Sequence, residues 1–272
     1  MIPKIIHQTW RSHTLPNVFQ NILERNKVTN PDFEFKLWTH SPDGHTIDDF
    51  IKQEYPDIFD IYINSQMGVQ KADIARLAIL HHYGGVYIDL DILTIKPISK
   101  LIDCNSSYVY AAMEPEDQTM AIFKRDDVLC NAFICAPAKH PIFRTALDEI
   151  KKLYNNHGKE IYKMFNVFGA DIVTVAMTSN DENYNCCKYV NRKLVYPISD
   201  PKLESLQSCE NSVNMLKTGN YGDAYTVHYW IHSDFESKEL LEKYTFDDKR
   251  DFHENIYQFF KELYPSHKYL RF

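Results

Sequence analysis

Apolar and polar residues along this chain fall into blocks with two different periods, and the blocks follow one another in a regular order. Ile2–Thr9 reads as a short strand, and from Pro16 to Lys27 the apolar residues Val18, Phe19, Ile22 and Leu23 recur at helical spacing. Phe33–Thr39 alternates as a second strand. Asp48–Ile63 supplies short helical material interrupted at Pro56, since a proline inside a helix removes a hydrogen bond and crowds the preceding turn. Lys71–His82 contains neither Gly nor Pro and is rich in Ala, Ile and Leu; it ends at Gly84-Gly85, glycine being a common residue just past a helix.

Further strands are expected at Ser107–Glu114 and Asn131–Pro137, and a helix at Pro141–Leu153 with Phe143, Ala146, Leu147 and Ile150 on one face. Tyr225–Ile231 is a late strand rich in aromatic and β-branched residues, and Leu240–Tyr264 reads as a charged helical tail. Strands alternating with helices predict an α/β sheet covered by helices. Neither an internal repeat nor a low-complexity linker divides the chain.

The segment "YGGVYIDLDI", Tyr83–Ile92, carries the most chemistry. Extended throughout, it would place Val86, Ile88 and Leu90 on one face and Tyr87, Asp89 and Asp91 on the other. Two carboxylates about 6–7 Å apart on one strand face repel each other and lose hydration, which a divalent cation would compensate. A solvated strand end is the competing reading. On the preceding helix Asp73 and Arg76 are three residues apart and share a face, either as a local ion pair or as part of the same polar site.

A length of 272 residues permits a sizeable core without disulfides. The net charge of −7 argues against a nucleic-acid partner, because that binding relies on Lys and Arg neutralising phosphates. The six cysteines show none of the paired spacings of zinc sites, and their scatter reads as reduced and intracellular. Without an apolar run of spanning length or a basic leader, the sequence shows no transmembrane segment and suggests a cytoplasmic location.

Four stretches, "IPKIIHQTW", "KADIARLAILHHYGGVYIDLDILTIKPI", "NAFICAPAKHP" and "VHYWIHSDF", resemble the DXD-containing glycosyltransferases of family 32, the Och-type sugar transferases, and more distantly the glucosylating clostridial toxins. The resemblance implies a GT-A, Rossmann-like nucleotide-diphospho-sugar transferase fold with a mixed central sheet and C-terminal helices. It covers roughly residues 1–235, which gives a catalytic domain 1–235 and a helical extension 236–272 packed on it. It also implies a nucleotide-sugar donor, a UDP-sugar or GDP-mannose, a divalent cation (Mn²⁺ or Mg²⁺), and a glycan, glycolipid or protein hydroxyl as acceptor, with retention at the transferred sugar.

By the same resemblance Asp91 binds the metal, Asp89 contacts the ribose or reaches the metal through water, and Asp73 and Arg76 hold the donor sugar and its phosphate. His228 is the candidate third metal ligand, with His232 its rival and a core imidazole the plain alternative. His7, Gln8, Thr9 and Trp10 frame the nucleobase, unless Trp10 only packs the first strand. Asn131 lies near the donor sugar, or else is a strand-edge amide. Two departures from the family pattern stand out: Ser233-Asp234-Phe235 where a Ser-Trp is usual, and Gly169-Ala170 where a Gly-Pro is usual. A metal-dependent phosphohydrolase also suits a pair of acids, although no second metal cluster is visible, and a catalytically silent carbohydrate-binding module is a third reading, against which the intact Asp89–Asp91 pair counts.

Overall fold

The structure, a computed structural model, describes residues 1–40, 46–164, 168–178, 185–231 and 237–270. Its central sheet runs β2-β1-β3-β6-β5-β7 across the molecule, from β1 (Ile5–Trp10), β2 (Glu34–Thr39), β3 (Gly85–Ile88), β5 (Val109–Met113), β6 (Leu129–Ala136) and β7 (Cys187–Val190). β1 pairs in parallel with β2 and β3, β6 lies antiparallel between β3 and β5, and β7 runs parallel to β5. The sheet is therefore mixed, and β1, β2, β3 and β5 all end at the same edge.

Alternation along the strands divides the core in two. Val86 and Ile88 face one side with Ile6, Phe19, Ile22 and the C-terminal Phe252, Phe259 and Phe260. Tyr87 faces the other with Leu77, Ala78, Ile134 and Phe143. The first layer is covered by α1 (Asn17–Thr29), the second by α2 (Ile47–Glu54), α3 (Pro56–Ile63), α4 (Gly68–Tyr83), α6 (Pro141–His157) and α7 (Ala170–Thr178), while α5 (Glu116–Phe123) connects β5 to β6. Pro56 divides the helical stretch as expected, and it does so by opening α3, where its missing N–H costs nothing.

Helix α4 is buried on nearly all sides from Ile74 to Leu80 and turns straight into β3 at Gly84 and Gly85. Both glycines have positive φ, and a Cβ on Gly85 would fall 2.6 Å from the Ile5 carbonyl oxygen. The close approach is sealed by His7. Its Nδ1 accepts from Trp38 Nε1 at 3.1 Å, which fixes the tautomer, and its Nε2–H donates to Gly84 O at 2.9 Å.

One expectation is corrected here. The carboxylate segment is not a single strand to Ile92: β3 stops at Ile88, and Asp89–Ile92 is a turn closed by Ile92 N–H donating to Asp89 O at 3.0 Å. β4 (Ile92–Thr94) leaves the main sheet and pairs instead with β8 (Thr226–His228). Two buried asparagines, Asn26 of α1 and Asn30 just past its end, hold it there. Asn26 bonds Ile92 O and Thr94 N, and Asn30 bonds Thr94 Oγ1 and Ile98 N, at 2.7–2.8 Å. The late strand expected to Ile231 stops at His228, and the expected helical tail is two helices, Lys238–Lys243 and Phe252–Leu263. Asp251 caps the second by accepting from Glu254 N at 2.8 Å. Among the described residues no helix is long and apolar enough to cross a membrane.

Candidate active site

A cleft of about 270 Å³ opens at the edge where β1, β2 and β3 end. Ligand sites of open α/β sheets form beyond the carboxyl ends of the parallel strands, which is where this cleft lies. Its floor is the Asp89–Leu90–Asp91 turn, facing His228, Trp230 and Ile231 from the end of β8. Thr9, Trp10, Arg11 and Phe19 form one wall, and Gly68, Val69, Ala72 and Arg76 of α4 form another, with His40 beyond β2.

The turn gathers what a strand would have kept apart. One ligand atom from each of Asp89, Asp91 and His228 lies within 4.8 Å of the others. Asp91 is buried and fixed at three atoms: its carbonyl accepts from Tyr229 N at 3.0 Å, Oδ2 accepts from Ile231 N at 2.7 Å, and Oδ1 lies 3.2 Å from His228 Nε2. Trp230 stands between with φ 55, uncommon for a residue with a side chain, and its ring lies 4.0 Å from that of His228. Its Nε1–H donates to Ile198 O at 3.0 Å. The irregular backbone thus allows Tyr229 N and Ile231 N to grip the same aspartate.

Electrostatics follow from that crowding. Burial pushes the Asp89 carboxyl upward, with Arg76 opposing and Asp91 adding to the rise. Burial would raise Asp91 as well, but His228 and the Ile231 N–H outweigh it and hold this carboxyl below its usual range. For His228 burial favours the neutral ring, and the Asp91 carboxylate outweighs it, so the imidazolium persists well above the usual value. Two carboxylates and an imidazole that gives up its proton to the incoming cation are a donor set suited to Mn²⁺ or Mg²⁺, and the ion would balance the charge of the acids in place of that proton. The residues fit the ion that the sequence implied.

Arg76 is buried beneath the floor. It donates to Asn131 O at 2.5 Å and to Asp89 Oδ1 at 3.2 Å, lies 3.3 Å from Asp73 Oδ1, and sits over the Tyr87 ring at 4.5 Å. Asn131 Nδ2 in turn donates to Asp73 Oδ1 at 2.8 Å. A Cβ on Gly169 would press on both Asp73 and Asn131 at 3.2 Å, so the glycine just before α7 leaves room for this pair.

Of the residues expected at the site, Asp89, Asp91, His228, Arg76, Thr9 and Trp10 line the cleft. Thr9 Oγ1 shares a hydrogen bond with Tyr87 OH at 2.8 Å, and Trp10 packs edge-on against Phe19. Asp73 and Asn131 are not among the lining residues and stand behind Arg76. His7 and Gln8 are corrections. Both are buried and off the cleft, and His7 has both ring nitrogens engaged in stitching β1 to β2 and to the Gly84 turn. His232 and the Ser233-Asp234-Phe235 departure lie outside the described residues, as does Val167 beside Gly169.

Sequence reasoning passed over Arg11, His40 and Trp230. Arg11 and His40 each stand just past the end of a parallel strand, a positional signal that was available. His40 Nδ1 lies 2.9 Å from Asp48 Oδ1, which also accepts from Tyr62 OH at 2.5 Å. No sequence signal marks the turned backbone at Trp230.

Residues 16–108 match a family described as a glycosyltransferase sugar-binding region containing a DXD motif. Over 248 residues the chain is 27% identical to inositol phosphoceramide mannosyltransferase 1 of Schizosaccharomyces pombe, covering 88% of this chain and 68% of that protein. It is 41% identical over 91 residues to the mannosyl phosphorylinositol ceramide synthase SUR1 of Saccharomyces cerevisiae, covering 34% of this chain but only 23% of that one. Among solved structures, mouse xyloside xylosyltransferase 1 superposes with a TM-score of 0.51 over 84% of this chain and 97% of its own, at 10% identity, a likeness of fold alone. The matched region carries the Asp89–Asp91 turn, and the chain has the GT-A fold of the solved glycosyltransferase it superposes on.

Proposed function

We propose that this protein is a metal-dependent mannosyltransferase that moves mannose from GDP-mannose to a hydroxyl of a glycolipid, with retention of the α configuration. UDP-sugars are the alternative donors, and glycan or protein hydroxyls the alternative acceptors. The observation that carries the reading is the convergence of Asp89, Asp91 and His228 within 4.8 Å on the floor of a cleft walled by Trp10 and Arg76. The names of the two fungal relatives favour mannose and an inositol phosphoceramide acceptor.

Asp91 and His228 would hold the divalent cation, with Asp89 beside them in contact with it, through water, or with the donor ribose. When bound, the cation supplies Lewis-acid stabilisation of the negative charge that develops on the departing diphosphate. Asp91 is prepared for this by the two backbone N–H groups that fix its orientation. Arg76 holds Asp89 in place and presents a buried positive charge below the donor, while Asp73, braced by Asn131, fixes the far side of the guanidinium. In this reading Asp73, Arg76 and Asn131 form the donor-sugar end of the site, and Thr9 and Trp10 the nucleoside end, Trp10 offering a ring face. A front-face transfer assisted by the leaving phosphate would need no protein nucleophile.

The test is a screen of nucleotide sugars with Mn²⁺ and with Mg²⁺, following nucleotide release with and without acceptor. GDP-mannose is expected to give slow metal-dependent GDP release that a mannosyl acceptor accelerates. Failure of every donor to release nucleotide, together with no metal-dependent nucleotide binding, would reject the reading.

A further inference from the structure

The cleft wall contains two guanidinium groups, and they stand in opposite situations. Arg76 is buried and directs its two terminal nitrogens at Asn131, Asp73 and Asp89. Arg11 is 45% exposed, lies over the Trp10 ring at 5.0 Å, and pairs with Glu242, a residue 231 positions away on the helix Lys238–Lys243. The rest of that helix is not loosely attached: Leu241 is buried in the same core layer as Ile6 and Phe19. The C-terminal extension therefore reaches back to place a carboxylate at the mouth of the cleft.

Where Arg11 stands matters. β1 and β3 are neighbours in the sheet, and Arg11, the residue just past β1, lines the same cleft as Asp89 and Asp91 just past β3. Adjacent strands are about 5 Å apart, well within the reach of an arginine side chain. A diphosphate held over the Asp89–Asp91 turn would lie within range of that guanidinium.

We infer that Arg11 is a phosphate contact of the cleft and that Glu242 is its resident competitor, a carboxylate that occupies the guanidinium until a nucleoside diphosphate displaces it. This rests on the reading that the cleft takes a nucleotide sugar. Exposed Arg–carboxylate pairs are weak, whereas a diphosphate offers several oxygens to the same planar fork and carries more charge. Glu242 also repels an incoming anion. The C-terminal helix thus lowers the affinity for the donor and for the nucleotide product alike, which favours product departure.

Calorimetric titration with UDP and with GDP, each with Mn²⁺ and at low ionic strength, tests this on the full chain. E242Q is expected to tighten binding of whichever diphosphate the parent prefers by about two- to fivefold, the range of an exposed ion pair. R11A is expected to weaken it by about tenfold or more, as for a lost charge-assisted contact. In the R11A background E242Q should change nothing, because the competitor has lost its target. R11Q serves in place of R11A should thermal unfolding show R11A misfolded. An unchanged affinity in E242Q, or an equal gain with and without Arg11, overturns the inference while leaving the proposed function standing. A parent that binds neither nucleotide with metal overturns both.

Discussion

Asp91 holds two backbone N–H groups, an imidazole and a share of the carboxylate pair, so its substitution separates chemistry from folding better than any other in the site. Asp91→Asn keeps the size and one acceptor oxygen but removes the charge. We expect turnover to fall about a hundredfold or more, comparable to the loss of a single transition-state-stabilising group, while thermal unfolding stays cooperative. Normal turnover in the folded variant would remove Asp91 from the metal site. Arg76→Lys should weaken donor binding about tenfold or more, since one ammonium cannot meet Asn131 O, Asp73 and Asp89 together. Titration with nucleotide and Mn²⁺ reads it, and an unchanged affinity would leave Arg76 with a purely structural role. At this scale the sequence pointed to Asp89, Asp91, Arg76, Thr9 and Trp10 through the motif and its neighbours, and to His228 through its place in the family pattern. It could not show that His7 is enclosed, because His7 and Thr9 share a strand face and only the distance from the carboxyl end of β1 separates the buried residue from the one that lines the cleft.

His7 also shows what elements do that residue lists do not reveal. The periodic pieces, β1, α1, β2 and α6, follow the apolar pattern closely, and α4, buried on nearly every side, is marked instead by the lack of Gly and Pro from Lys71 to His82. The Asp89–Ile92 turn does not, since its residues alternate like a strand and only the pull of β8 on Asp91 and of Asn26 on β4 bends them away. Short or weakly patterned elements such as β7 and Cys209–Thr218 gave no usable period. His7 joins β1 to the α4–β3 turn as a neutral ring, its pKa lowered by burial to about 4 from the ordinary 6.5. Between those values the unfolded chain binds a proton that the folded one does not, so stability rises with pH there. The contribution is complete above about pH 6.5 and is lost as the pH falls towards 4, about 3 kcal/mol in all. Glu114 acts in the opposite direction: burial raises its carboxyl to about 7, so its effect on stability declines as the pH rises from 4.5. The parent's profile mixes the two, and comparison with His7→Gln separates them. The stability gap between parent and variant should be wider at pH 7 than at pH 4.5, measured by urea unfolding. A gap independent of pH would mean that His7 is not held neutral.

For the whole molecule the question is whether residues 236–272 are an appendage or part of the core. The family resemblance ends near residue 235, and from sequence the tail is only a charged helix, since its apolar positions have no visible partner until the sheet is built. In the fold Phe252, Ile256, Phe259, Phe260 and Leu270 are buried in the same core layer as Val86, Ile88 and Leu90. We propose that 1–235 is the catalytic portion and that 236–272 completes its core. Each of these large apolar side chains is worth about 1.5–3 kcal/mol when fully buried, and together they approach the whole stability of an ordinary domain, about 5–15 kcal/mol. A chain ending at residue 236 should therefore lose cooperative unfolding and bind no nucleotide, although every proposed donor and metal residue remains in it. Phe260→Ala is the milder version. Phe260 is fully buried, so its truncation should cost about 3–5 kcal/mol, seen as a lower urea midpoint, with nucleotide affinity preserved below the transition. If the shortened chain unfolds cooperatively within a few degrees of the parent, the C-terminal helices lie on the core without sustaining it.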